Sequence, residues 1–139
     1  MTYLLDTNVV SELRKRPGRI DENVAAWGAA LSADEQFVSA ITVFEVELEI
    51  LQVERRDELL GKMLRRWFEA SVIGAFRKRI LVVDRDVALR AARLHVPDPR
   101  PERDGYIAAT ALVHGLTVAT RNVDDFEPMG VPVVNPWLG

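Results

Sequence analysis

Compact apolar runs take turns along this chain with longer stretches in which apolar residues recur every three or four positions. This switching of period predicts strands alternating with helices. Tyr3-Leu4-Leu5 reads as a buried strand that stops at the polar turn Asp6-Thr7-Asn8, and Val9, Val10 and Leu13 then keep helical spacing up to Arg16-Pro17-Gly18. Asp21 is placed to cap a second helix with Val24, Trp27 and Leu31 on one face. Gln36 to Ala40 predicts the next strand. Thr42 is the expected N-cap of the helix after it, with Glu45 at capping-box spacing, and that helix continues through Leu48 and Leu51.

A further helical pattern spans Asp57 to Lys78, its apolar face formed by Leu60, Met63, Leu64, Trp67, Phe68 and Ile73. Ile80 to Val83 is compact and β-branched, hence a strand. Asp84 caps the helix carrying Val87, Leu89, Ala92 and Leu94. Pro97-Asp98-Pro99-Arg100-Pro101 cannot be helix interior and reads as a loop that walls a site. Asp104 is expected to open a helix through Tyr106, Ile107, Ala108, Ala111 and Leu112, closed by Gly115. Leu116 to Thr120 is a strand, Arg121 to Phe126 a polar turn, and Val131 to Val134 a final short strand. The alternation predicts an α/β fold, a mostly parallel sheet covered on both faces. No repeat, low-complexity run or linker interrupts it, so residues 1–139 read as a single domain.

Composition narrows the class. With 48% hydrophobic and 28% charged residues the chain is expected to be globular rather than disordered. No apolar run approaches the roughly 20 residues that cross a bilayer, so no membrane association is expected. The start, MTYLLDTNVV, reads as a strand rather than as a secretory signal. Cysteine is absent, which excludes disulfides and thiolate metal sites and makes a cytoplasmic location the simplest expectation. The net charge of −3 neither favours nor excludes a nucleic-acid substrate, because bound cations can cancel a local acidic site.

The acids carry the chemistry. Parallel sheets bind ligands beyond the carboxyl ends of their strands. Asp6 directly follows the first strand, Glu45 lies in the first turns after the second, Asp104 starts a late helix, and Asp124 and Asp125 follow the strand ending at Thr120. This topology permits them to meet at one edge. Close carboxylates repel one another and are tolerable where a divalent cation neutralises them. Oxygen-only ligands suit Mg²⁺ or Mn²⁺, and His95 and His114 have no convincing ligand spacing. Such a cation orients water, lowers its pKa and stabilises charge on a phosphoryl oxygen, which points to phosphodiester hydrolysis without a covalent enzyme intermediate.

Four segments in order then resemble one family over nearly the whole chain. They are Leu4-Leu5-Asp6-Thr7-Asn8, Ser39-Ala40-Ile41-Thr42-Val43-Phe44-Glu45, Asp104-Gly105-Tyr106-Ile107-Ala108-Ala109-Thr110-Ala111 and Thr120-Arg121-Asn122-Val123-Asp124-Asp125-Phe126. The chain resembles PIN-domain ribonucleases, in particular toxins of the VapC or FitB type from toxin–antitoxin pairs. The resemblance implies a three-layer α/β/α fold, Mg²⁺ or Mn²⁺ as cofactor and RNA as substrate. It implies that Asp6, Glu45 and Asp104 bind metal, selects Asp125 over Asp124 as the fourth acid, and assigns support of the site to Thr120, Asn122 and Asn8. It also implies a homodimer, a cognate antitoxin that blocks the site, and binding of operator DNA only through that antitoxin.

Each acid also has a purely structural reading. Asp6 and Asp104 can be helix caps, Glu45 the second half of a capping box, and Asp125 a turn residue. Glu49 is expected to be solvated and Asp84 and Asp86 to start a helix. The basic residues Arg14, Lys15, Arg16, Arg100, Arg103 and Arg121 are either solvated or phosphate contacts; Arg14, Arg16, Arg103 and Arg121 are the candidates for RNA. Two other functions compete with a ribonuclease. One is a different metal-dependent phosphohydrolase, which would need an acid where Asn8 stands; the other is a non-catalytic binding module of the same fold.

Overall fold

In the computed structural model, which describes residues 1–139, the chain runs β1 (Tyr3–Leu5), α1 (Thr7–Leu13), α2 (Glu22–Ala29), β2 (Gln36–Ser39), α3 (Ala40–Arg56), α4 (Glu58–Trp67), β3 (Ile80–Leu81), α5 (Arg85–Leu94), α6 (Glu102–His114), β4 (Thr117–Ala119), α7 (Val123–Phe126) and β5 (Val133–Val134). The five strands form one sheet in the order β3-β2-β1-β4-β5, and every neighbouring pair is parallel. Alternation along β1 divides the core. Leu5 points to the face shared with Val38 and Ala119, where Val9, Val10, Val46, Ile50, Phe68 and Val72 pack. Leu4 points to the other face with Val118, Ile107, Ala108 and Phe126. Burying each such Leu, Ile or Phe contributes about 1.5–3 kcal/mol, so both helical layers are held by the sheet rather than by their own propensity. The result is a three-layer α/β/α arrangement in which α5 packs on α6 through Val87, Ala91 and Ala109.

Several local expectations are corrected. α3 begins at Ala40 and is capped by Ser39, whose hydroxyl accepts from Ile41 N at 3.0 Å. Thr42 is therefore helix interior, fully buried, and forms no capping box with Glu45. The helical pattern from Asp57 to Lys78 does not continue as one α-helix. Asp57 caps α4, but after Trp67 the chain widens into a π-helical segment, Phe68–Gly74, followed by turns. Widening the turn keeps Phe68 and Val72 on the sheet while Ile73 is exposed. β3 ends at Leu81, leaving Val82 and Val83 outside the ladder. α6 begins at Glu102 behind Pro101, so Asp104 is the third helical residue, not the first. The segment after β4 contains the short helix α7. Leu60, Met63 and Leu89, read as apolar-face residues, are exposed.

No helix is long and apolar enough to cross a membrane. Because all strands run the same way, the ends of β1, β2 and β4 open on one edge. The chain leaves β1 towards β2 on one side, whereas β4 lies on the other side of β1, so β1 and β4 flank a topological switch point.

Candidate active site

Asp6 occupies that switch point. Its backbone N–H completes the ladder to Ala119 O at 2.9 Å, and its side chain is 5% exposed. Thr7 N donates to Oδ1 at 2.8 Å, and the Thr120 hydroxyl donates to Oδ2 at 2.8 Å from the end of β4. Asn8 Nδ2 lies 3.4 Å from both Oδ2 and the Thr120 oxygen, and Asn8 Oδ1 accepts from Arg121 N at 3.2 Å. Thr120 in turn accepts from Asn122 N at 2.9 Å. Asp6 thus does cap α1, as its structural reading expects, and both of its oxygens are oriented at the same time.

Glu45 projects from α3 towards the same place. The Thr7 hydroxyl donates to its Oε1 at 2.7 Å, and Arg103 Nη1 lies 3.5 Å from its Oε2. Thr7 also reaches the buried Thr42 hydroxyl at 3.2 Å. Asp104 comes in from the first turn of α6 and Asp125 from α7.

Electrostatics ties these four acids together. Burial pushes the Asp6 carboxyl above the ordinary carboxylate range, despite hydrogen bonds from Thr120 and Thr7 that favour its ionised form, and repulsion from Glu45 and Asp125 adds to the rise. Burial also raises Asp104, with repulsion from Asp6, Asp125 and Glu45 in that order, up to about 6. Asp125 is among the repelling groups at both carboxyls and Asp124 at neither, which separates the two adjacent acids.

No group of three or more acidic or histidine side chains is arranged to hold a metal ion as the side chains stand; Glu45 accepts from Thr7 and faces Arg103. The donor chemistry nevertheless fits a hard divalent cation. All four donors are carboxylates, they repel one another, and two of them are held above their ordinary ionisation range, a penalty that a nearby positive charge would relieve.

The basic candidates divide. Arg103 stacks over Phe44 with its charge 4.9 Å from the ring and reaches Glu45, and Arg121 stacks over Trp137 at 5.2 Å; both border the acids. Arg14 lies over Trp67 beyond the end of α1, in a groove lined also by Leu13, Gln36 and Phe76, and makes no ion pair with the four acids. Arg16 is exposed in the turn beyond α1. Glu49 is exposed, and Asp84 caps α5 by accepting from Val87 N at 3.0 Å.

Sequence reasoning missed Thr7 and Thr42 as bridging hydroxyls. The Asp-Thr-Asn triplet was the available signal, but a hydroxyl contact across 38 residues leaves no mark on local spacing. It also missed the packing under Asp104. Arg100 N donates to His95 Nδ1 at 3.0 Å, which leaves the neutral ring's proton on Nε2. That ring lies against Gly105, where an added Cβ would meet His95 Nε2 at 2.7 Å and Cε1 at 3.2 Å. Gly105→Ala is expected to lower stability by about 1–3 kcal/mol through overpacking and to reduce activity by moving the turn that carries Asp104. Thermal unfolding and kinetics of Gly105→Ala and of the Gly105→Ala/His95→Ala pair test this: the second substitution removes the obstructing ring, so the two effects are not additive.

Comparison with known proteins places the chain. The model of the PIN domain matches residues 3–130. The toxin FitB of Neisseria gonorrhoeae is 41% identical over 143 residues, covering 96% of this chain and 97% of that protein. The VapC ribonuclease Y4jK of Sinorhizobium fredii is 37% identical, covering 96% of each. Among solved structures, FitAB bound to an IR36 DNA fragment superposes with a TM-score of 0.87 at 36% identity, covering 98% of this chain and 96% of that one. A toxin–antitoxin complex from Klebsiella pneumoniae superposes at 0.69 with 26% identity, covering 97% and 98%.

Proposed function

Since the chain belongs to the PIN-domain family, we propose that it is a divalent-cation-dependent ribonuclease, the toxin of a toxin–antitoxin pair, whose working residues are Asp6, Glu45, Asp104 and Asp125. The observation that carries this reading is the mutual repulsion of these four carboxyls, contributed by four separate segments to the edge of the sheet where α/β folds bind their ligands. Evolution tolerates such repulsion at functional sites more than elsewhere.

Asp6 is the best-oriented donor, with both oxygens fixed by Thr7 N, Thr120 and Asn8. Glu45, Asp104 and Asp125 complete the set, and Asn122 supports it by donating its backbone N–H to Thr120. Mg²⁺ or Mn²⁺, when bound, supplies neutralising charge and polarises water and the scissile phosphoryl oxygen. Thr7 controls the direction of Glu45, and Arg103 pairs with Glu45 until a substrate phosphate competes for its guanidinium. Arg121 is the second phosphate or base contact at the rim; Arg14, stacked on Trp67, and Arg16, in the exposed turn beyond α1, make no contact with the four acids and are the weaker candidates.

The toxin–antitoxin complex and the DNA-bound assembly among the relatives support an antitoxin and DNA as partners; that the antitoxin occupies the site, that a second copy of the chain pairs with this one and that the DNA is an operator reached through the antitoxin are part of the proposal. The proposed location is the cytoplasm, where a ribonuclease toxin meets its RNA substrate. Purified protein incubated with cellular RNA and Mg²⁺ or Mn²⁺ is expected to produce discrete new RNA ends, and excess chelator to suppress them. Cleavage that persists undiminished in chelator sinks the cation-dependent reading.

A further inference from the structure

A groove of about 510 Å³ lies beside the acidic site, between the segment after β4 and the segment after β5, and is lined by Arg121, Asn122, Val123, Asp124, Asp125, Asn135 and Leu138. Asp125, which lines the groove, is also one of the carboxyls that repel Asp6 and Asp104; its neighbour Asp124 lines the groove and is exposed. The groove is coupled to the site through the backbone, since Arg121 N donates to Asn8, whose Nδ2 faces Asp6. One plane of the Arg121 guanidinium covers Trp137, which leaves the opposite plane of this exposed side chain for a second flat group. The polar groups along the groove are uncommitted. Asp124 is exposed, and Asn122 makes no side-chain cap bond although it precedes α7. Asn135 accepts from Trp137 N at 2.9 Å through Oδ1, which directs its two N–H donors elsewhere.

A flat cationic plane beside a carboxylate acceptor and two carboxamides is the equipment for binding an unstacked base by its face and its hydrogen-bonding edge. We propose that this groove is the subsite for the nucleotide adjoining the scissile phosphodiester, with Arg121 stacking on its base and Asp124, Asn122 and Asn135 reading its edge. The carboxylate selects an edge that presents N–H donors, and the carboxamides accept or supply the remaining bonds. The inference rests on the ribonuclease reading and adds to it a determinant of cut-site choice.

The test is partial digestion of a randomised single-stranded RNA pool, with the new ends sequenced, by wild type, Asp124→Asn, Arg121→Gln and Asp6→Asn. Asp124→Asn changes an exposed side chain nearly isosterically, so its folding is not at risk. Wild type is expected to show a base preference at one position next to the cut. Asp124→Asn should change that preference by about tenfold, the discrimination one good edge contact provides. Arg121→Gln should raise KM by about fivefold or more at every cut while keeping the preferred base, because stacking is tolerant of sequence. Cleavage that depends on Asp6 but shows the same base distribution in Asp124→Asn and wild type overturns the subsite and leaves the ribonuclease reading intact. Equal cleavage by Asp6→Asn and wild type, or none by wild type, overturns the ribonuclease reading and the subsite with it.

Discussion

Asp6→Asn is expected to lower RNA cleavage by at least about a thousandfold while the protein keeps its fold. The loss follows from position: Asp6 is the most buried of the four acids and both of its oxygens are directed by fixed donors. Replacing one oxygen by an amide nitrogen removes a negative charge and half of the donor atoms at the point where the cation's charge is needed. The fold survives because the local hydrogen bonds can be remade. Thr7 N can still donate to Asn Oδ1, and the Thr120 hydroxyl, which acts as donor or acceptor, can accept from the new NH₂. A buried group whose ionisation is disfavoured becomes neutral, so stability at pH 7 should stay level or rise. The measurement pairs single-turnover cleavage with calorimetric titration of Mn²⁺ and a thermal melt. A folded variant with wild-type turnover would sink the assignment of Asp6.

Asp104→Asn should produce the opposite signs in activity and stability, inactivating the enzyme while raising the melting temperature of cation-free protein near neutral pH. The Asp104 carboxyl is pushed up to about 6 by burial first and then by Asp6, Asp125 and Glu45. A group whose folded-state pKa is raised stabilises the fold fully only below its unfolded value, near 3.8, and that contribution disappears as pH rises through about 6. Cation-free wild type should therefore gain stability as pH falls from about 7 to about 5, and Asp6, shifted in the same direction, adds to the trend. Asp104 is partly exposed, so after allowance for solvent screening the effect is of the order of 1 kcal/mol.

At lower pH the trend reverses. Glu12 is held below its ordinary range by hydrogen bonds from Lys15 and Asp21 N, so its contribution is lost as acid protonates it. Melts of chelated wild type and Asp104→Asn at pH 5 and 7.5 check the prediction, which expects the pH trend to be flattened in the variant. Added Mn²⁺ should flatten it in wild type as well, because the cation offsets the repulsion. Equal pH trends in both cation-free proteins would remove Asp104 from the cluster.

The two results together describe a site that is locally destabilising in the free protein. Carboxyls from the end of β1, α3, α6 and α7 are assembled where burial and repulsion disfavour ionisation of Asp6 and Asp104, and the packed layers on both faces of the sheet hold them there. Substitutions that relax the site should raise stability at the expense of catalysis, the usual exchange at functional positions.

Much of this architecture was legible in the order of residues. Period-2 and period-3.6 patterning marked the strands and most helices, and Asp21 and Asp84 do cap the helices that follow them. Asp6, Glu45, Asp104 and the pair Asp124-Asp125 stood out by position, each following a strand or entering a helix, and the family resemblance selected Asp125 from the pair. The helix starts were less legible. Ser39 rather than Thr42 caps α3, because a buried hydroxyl in the first turn and a capping hydroxyl have the same local spacing and differ only in what lies opposite. The π-helical turn at Phe68–Gly74 was hidden for a related reason: it preserves apolar contacts with the sheet at the cost of regular spacing.

The sequence by itself determined the class of fold and marked the candidate acids, since period and charge are properties of local order along the chain. Tertiary structure alone decided which groups meet. It placed Thr120 on Asp6 and Thr7 on Glu45, laid Arg14 over Trp67, and seated Gly105 on His95. The reason is physical: hydrogen bonds and repulsions depend on distances of a few ångströms between residues up to 114 positions apart, and only the packing of the sheet against its two helical layers sets those distances.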